Sequence, residues 1–432
     1  MKNFNDSQKS KGNSKSNIVG IIMMIFLFGC ISYVTNLAGQ MLPVLKIRFE
    51  LTNAEASLGN MANFIAYAVM GIPGGFLLQK MRFKKTALIA VAIGFTGVFI
   101  QYMAGHINSF PVYLFGAFVA GFSMCLLNMV VNPMLNELGG GGKTGTRLLN
   151  IGGAFNSLTG TAVVIFVGAC VGKITKDTGI ADVFPVMYIA LAVFGLVFIV
   201  LNILNISEPP IDRSTEPVGS LMKGALKFRH FLLGVISIFI YVGLEVGTPV
   251  TLNTYLTNGI KGVVSDATMA GSVVGTYWFL MLIGRILGGV IGASGKTLLT
   301  VASSAALILV ACAIFMTNTD INVTMPVLKI VAGKVSIDWA NVPINAVFLV
   351  LVGLCTSIMW GSIFNLATRG LNKYIPVASG IFMTMVCGGG ILPWIQANVA
   401  DVIGYMQSYW VIFAGFAFLL YYALIGSKTK LS

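Results

Sequence analysis

The residues able to do chemistry in this chain are few, and most are amides. Asn36, Gln40, Asn63, Asn128, Asn132, Asn156, Asn253, Asn365, Gln396 and Asn398 all lie inside apolar stretches, as do Tyr67, Tyr277 and the indoles Trp278, Trp360 and Trp394. Polar groups in hydrocarbon are costly, so those that persist turn towards a cavity or another helix. Side-chain amides donate to and accept from hydroxyls, and a flat aromatic face covers an apolar C–H face. Together they suit a small, polar, uncharged solute rich in hydroxyls, whereas a strongly ionic one would want buried Arg or Lys. Each amide taken singly serves equally well as an interhelical hydrogen bond.

Among the charged residues, Glu245 stands apart as the acid deep inside an apolar stretch, Ile236 to Leu256. A carboxylate there needs a proton, a sodium ion or a polar neighbour, which leaves three roles open: proton carrier, sodium ligand or structural partner. Arg285 is the candidate buried cation, and its place near one end of its helix suits an ion pair or a gate better than a ligand contact. Lys84 and Lys85 lie in a basic turn and are expected to carry structural or gating charge. The six cysteines (Cys30, Cys125, Cys170, Cys312, Cys355, Cys387) lack the paired spacing of a disulfide framework or metal site and read as packing residues. With only His106 and His230, both near helix ends, a histidine-rich metal or haem centre is excluded, and no cofactor is expected. An integral membrane enzyme would need a catalytic constellation that these isolated residues do not form.

The elements that must position these groups follow from composition. The 432 residues are 56% hydrophobic and 9% charged, against about a quarter charged in a soluble domain. A bilayer core takes roughly 20 apolar residues per helix. Twelve spans are predicted, at 18–42, 56–79, 86–105, 110–136, 148–172, 184–206, 231–257, 268–291, 297–317, 343–368, 377–399 and 405–426. The fold class is thus an all-α integral membrane protein. With the polar tail 1–17 inside, the loops on that side hold 19 Lys and Arg against 7 on the other, so both termini, 427–432 included, are expected in the cytoplasm. The net charge of +13 follows from that asymmetry and does not point to a nucleic-acid partner.

A hydrophilic linker at 207–230, with Glu208-Pro209-Pro210, divides the chain into six-span halves, 18–206 and 231–426. Cys125 to Gly140 lines up without gaps against Cys355 to Gly370, a parallel repeat between the halves. Two such bundles lending helices to one central cavity are a known transporter plan. Gly139-Gly140-Gly141-Gly142-Lys143-Thr144 has neither a preceding strand nor the full spacing of a phosphate loop and reads as a flexible turn. The segment 318–342 is expected to be a long external loop.

Several segments in combination resemble the fucose/glucose/galactose symporter branch of the major facilitator superfamily. They are Asn36-Leu37 through Leu42-Pro43 with Phe49-Glu50-Leu51-Thr52; Gly71-Ile72-Pro73-Gly74-Gly75 with Lys84-Lys85; Asn132-Pro133; and Arg147 to Asn150 with Phe155-Asn156-Ser157. In the second half, Tyr241 to Val246, Ser357-Ile358-Met359, Ile363-Phe364, Gly380 and the glycines before Pro393 extend the likeness over about 18 to 426. The resemblance implies two pseudo-symmetric six-helix bundles and alternating access. In the fucose-proton member of that family, acids on helices 1 and 4 recognise and couple; here Gly39 and Asn128 stand at those positions, while Asn156 matches a sugar-contacting asparagine. Glu245 agrees with the glucose/galactose members.

The function expected from both lines is import of a monosaccharide by proton or sodium symport across a bacterial inner membrane. Its partners would be the sugar, the co-transported cation and the lipid bilayer, and the protein would be a monomer. The expected sugar contacts are Asn36, Gln40, Asn63, Asn128, Asn132, Asn156, Asn253, Trp278, Trp360, Asn365 and Gln396, with Glu245 responsive to the ion. A facilitative uniporter, or an exporter of another polar or amphiphilic solute, is the alternative on the same fold.

Overall fold

The computed structural model describes the chain outside residues 1, 139–141, 172–177, 205, 207, 209–217, 259–266, 292, 318–320, 332–333, 372–373 and 430–432. Residues 139–141 of the Gly-rich turn and 207 and 209–217 of the charged linker therefore lie outside the described residues. Among the described residues, twelve helices are long and apolar enough to cross a membrane. They are α1 (Ile18–Arg48), α2 (Asn53–Leu78), α3 (Lys80–Ile107), α4 (Phe110–Leu135), α5 (Ile151–Val171), α6 (Ile180–Ile203), α7 (Arg229–Thr257), α8 (Met269–Gly288), α9 (Gly295–Phe315), α10 (Ile344–Thr368), α11 (Val377–Ile403) and α12 (Tyr409–Gly426). An even number of crossings puts both chain ends on one face, here the terminal face. Odd-numbered helices run away from it.

Local chemistry fixes several helix ends. Thr52 and Glu55 form a reciprocal capping box at the start of α2: Thr52 Oγ1 accepts from the Glu55 amide at 3.1 Å, and Glu55 Oε2 from the Thr52 amide at 2.8 Å. Ser294 caps α9 through the Thr297 amide at 3.2 Å. Asn108 closes α3 with φ 49°, and Gly404 follows α11 with φ 93°, the left-handed region that asparagine and glycine enter most readily. The turn from α2 into α3 is sharper, with Arg82 held at φ 66°.

One carboxylate secures that turn. Glu208, in the linker after α6, accepts from the amides of Phe83 and Lys84 at 3.2 and 3.3 Å and pairs with Arg82 Nε at 3.2 Å. It thereby satisfies two N–H groups that the start of a helix leaves without partners. Lys84 does the converse at the end of α6, its Nζ donating to the carbonyls of Asn202 and Leu204 at 3.2 and 2.8 Å. Lys84 thus carries structural charge, while Lys85 is exposed.

Within the halves α3 packs along α4 and α1 along α5; between them the contacts run α2 to α11 and α5 to α8. Small residues permit the close approaches. A Cβ at Gly71 on α2 would lie 2.8 Å from the Thr384 backbone on α11, and one at Gly390 on α11 would lie 2.9 Å from Met61 Cα on α2.

Two features depart from the sequence reading. A short helix, Val218–Leu226, lies within the linker. The segment 318–342 is not a plain loop but carries an antiparallel hairpin, β1 (Asn322–Val331) with β2 (Lys334–Pro343), in the register Asn322↔Pro343 to Val331↔Lys334. Alternation accounts for it: Met325, Val327, Ala340 and Val342 are buried, whereas Ile337 and Trp339 face out. β1 packs on both α8 and α5, so the hairpin reaches from the second half to the first.

Glu208→Ala removes the cap and the ion pair at the α2–α3 turn together. The expected cost is about 1–2 kcal/mol, read as a lower Tm of the purified protein in detergent; an unchanged Tm would show that the turn holds without the carboxylate.

Candidate functional site

Glu245 sits midway along α7, and a proline placed one turn later decides how it is held. Pro249 has no N–H to give to the Glu245 carbonyl, so that oxygen is left without its helical donor. Tyr277 Oη on α8 lies 3.2 Å from it and donates instead. The same hydroxyl is 3.0 Å from Thr356 Oγ1 on α10. Tyr241, one turn before Glu245, donates to its Oε1 at 2.9 Å and lies 3.2 Å from the Thr356 carbonyl. Three helices of the second half therefore converge on this one residue.

Arg285 on α8 completes the arrangement and carries it across to the first half. Its Nη2 faces Glu245 Oε1 at 3.4 Å, with 12% and 13% of the two side chains exposed. Its Nη1 donates to the Gly153 carbonyl, to Ser157 Oγ at 2.8 Å and towards Asn156 Oδ1 at 3.5 Å, all on α5. Asn156 then donates to the Phe28 carbonyl on α1 at 3.0 Å. A single guanidinium thus joins the buried acid of one half to the backbone and side chains of the other. Its fork of five donors permits this, where an ammonium would offer one compact centre.

Aromatic rings border the pair. Trp278 meets Tyr277 edge to face at 5.5 Å, and Trp360 lies 6.2 Å from Tyr241 and 6.0 Å from Phe382. Amide, guanidinium, hydroxyl and indole groups lie close together here, which is the donor, acceptor and flat-face set that a polyhydroxylated solute engages.

The remaining residues picked from the sequence fall into separate groups. Asn36 donates to Ser32 O and Oγ one turn earlier on α1, at 2.9 and 3.1 Å. Gln40 on α1 accepts from Asn253 on α7 at 3.4 Å, a second polar link between the halves. Asn128 on α4 donates to Tyr67 Oη on α2 at 3.0 Å, and Asn132 to the Asn128 carbonyl at 2.8 Å. Gln396 is fully buried against Ser408 at 3.5 Å, with its Oε1 unpartnered among the described residues. Asn63 is buried with its amide nitrogen unpartnered among the described residues. Asn365 is exposed and makes no hydrogen bond among the described residues. Trp394 and Asn398 are exposed as well, with Asn398 bonded to its own helix.

Other residues in these networks were not among the contacts expected from the sequence. Thr356, Ser157 and Tyr241 complete the Glu245–Arg285 cluster. Asn60 on α2 donates to the Gly389 carbonyl on α11 at 3.1 Å, and this is the oxygen that Pro393, four residues later, leaves free. A proline four residues after a candidate position was thus the signal for both Tyr277 at Glu245 and Asn60 at Gly389. A cleft between the halves is lined by Asn53, Ser57, Thr251, Thr254, Pro393 and Tyr405, none of them among the predicted contacts.

Comparison with known proteins agrees with this architecture. The Major Facilitator Superfamily description matches residues 23–393. A glucose/galactose transporter of Brucella abortus is 28% identical over 98% of this chain and 96% of its own length. The L-fucose-proton symporter of Escherichia coli is 23% identical, over 98% of this chain and 96% of its own. The crystal structure of a major facilitator transporter, FucP, in the outward conformation shares the fold with a TM-score of 0.73 at 21% identity, covering 96% of this chain and all of that one.

Arg285→Met leaves Glu245 buried without its counter-charge, which is expected to cost about 3–5 kcal/mol of stability. Glu245→Gln in the same chain should recover much of that loss, as read from unfolding of the purified variants. Equal destabilisation by the single and double variants would show that the two residues do not depend on each other.

Proposed function

The chain belongs to the major facilitator superfamily, and from that premise we propose that it moves a neutral monosaccharide of the glucose or galactose type together with a proton or sodium ion. The observation that carries the reading is the contact of Arg285 with Glu245 on one side and with Gly153, Asn156 and Ser157 on the other. Likeness to the glucose/galactose transporter of Brucella abortus supports the substrate class, and likeness to the L-fucose-proton symporter of Escherichia coli supports the symport.

The mechanism follows from competition for one carboxylate. With Glu245 ionised, its charge and that of Arg285 offset each other, and the guanidinium ties the halves together. A cation arriving at Glu245, either as a proton on the carboxyl or as sodium beside it, competes with Arg285 for the same oxygen. Arg285 and Asn156 then have donors and an acceptor to offer a sugar hydroxyl, with Trp278 and Trp360 as flanking faces. Cation and sugar binding therefore favour one another, and the loaded protein rocks about its inter-half contacts to expose the site to the other side. Gln40 and Asn253 are placed to contribute as a second polar level, and Asn36, Asn128 and Asn132 to support the first half. We place the termini in the cytoplasm of a bacterial inner membrane, a reading supported by the 19-to-7 bias of basic residues.

The experiment is uptake of labelled glucose and galactose into proteoliposomes under imposed proton or sodium gradients. A potential of 100 mV supplies about 2.3 kcal/mol per charge, enough for roughly 50-fold accumulation with one cation per sugar. Glu245→Gln is expected to abolish accumulation while sugar exchange at equal concentrations continues. Accumulation that survives the substitution would remove Glu245 from coupling; uptake indifferent to both gradients would make the protein a facilitator.

A further inference from the structure

At the face away from the termini, the end of α1, the start of α2 and the end of α11 meet in a compact polar knot. Lys46 Nζ donates to Asn53 Oδ1 at 2.6 Å; Asn53 Nδ2 lies 2.6 Å from Asp401 Oδ1 and 3.1 Å from Tyr405 Oη. Lys46 and Asn53 belong to the first half and Asp401 and Tyr405 to the second. Asn53 holds a cation on its oxygen and a carboxylate on its nitrogen at once, which an amide can do and an ionised carboxylate or a hydrocarbon cannot. Directly beneath lies the cleft bounded by Ser57, Thr251 and Thr254, whose 20 Å³ of free space has room for about one water. The Gln40–Asn253 contact supplies a second bridge between the halves, from α1 to α7.

We infer that Asn53 is the latch of a gate on this face, closed in the present structure, and that the cleft beneath it is the mouth of an access path between the halves. The halves cannot part here without breaking the Asn53 bonds to Asp401 and Tyr405. Asp401 is exposed and Tyr405 half-buried, so water replaces these bonds readily when they open. The knot thus has the features of a reversible latch: short bonds when closed and little cost on release. This assignment goes beyond the transport reading, and its test needs no sugar, so an error in the substrate class leaves it untouched.

The test introduces Thr254→Cys beneath the latch and measures labelling by a membrane-impermeant maleimide in proteoliposomes, relative to the chain with its own six cysteines. Labelling is expected to be slow with Asn53 present. Asn53→Asp, which sets a second carboxylate against Asp401, should raise it about tenfold. Adding Asp401→Asn should return it to the starting level, because one amide again faces one carboxylate. Asn53→Ala, which deletes the bonds without adding charge, should raise labelling about threefold. No rise with either Asn53 variant, or a rise that Asp401→Asn does not reverse, would overturn the assignment.

Discussion

A charge inside an apolar bundle must be matched, and much of the arrangement around the centre of this protein follows from matching Glu245. The carboxylate has Arg285 and Tyr241 on its side chain, and its own carbonyl is taken by Tyr277 because Pro249 cannot supply the helical donor. Removing one member of a buried pair strands the other, so these side chains form a unit. The unit has an unusual feature in its far end: among the described residues, the hydrogen-bond partners of Arg285 beyond Glu245 belong to α5 in the other half. The electrostatic state of one side chain is therefore tied to the packing between two bundles, which is what a device that converts a cation gradient into a change of shape requires.

The α2–α11 seam supplies the mechanical counterpart. From the face away from the termini inward, it is joined by Asn53 to Asp401, by Asn60 to the Gly389 carbonyl, and by the close backbone approach at Gly71 and Thr384. The outermost contact is exchangeable with water, the middle one is an amide buried against a proline-freed carbonyl, and the third is backbone packing. Such a gradation permits one end to part while the rest remains in contact. The α5–α8 seam is a further contact between the halves, with Arg285 in it and β1 packed on both of its helices.

The architecture was legible in the sequence because it rests on sums over many residues, above all on apolar runs long enough to cross a membrane. Twelve spans emerged with ends displaced by a few residues, since caps such as Thr52 and Ser294 act outside the apolar pattern. The site was legible only in part. Glu245, Arg285 and Asn156 do meet, because a rare charge in hydrocarbon must find a partner. Amides, in contrast, satisfy themselves in many ways: Asn36 bonds to its own helix, and Asn365 bonds to nothing among the described residues. Residue type alone does not separate those uses. Asn53 and Asp401 escaped notice because they stand at helix ends, where polar residues are ordinary, and the hairpin did because its alternation was read as loop.

The central claim is that a cation at Glu245 and a sugar beside Arg285 favour one another, and calorimetric titration of glucose and galactose into the purified protein tests it most directly. In the unmodified chain, affinity should rise about tenfold as the coupling cation is raised, a coupling of about 1.4 kcal/mol within the range usual for linked sites. Glu245→Gln, fixed in the neutral form, should bind sugar tightly and with no cation dependence. Equal affinity at every cation concentration in the unmodified chain, or the same dependence after the substitution, would contradict the account.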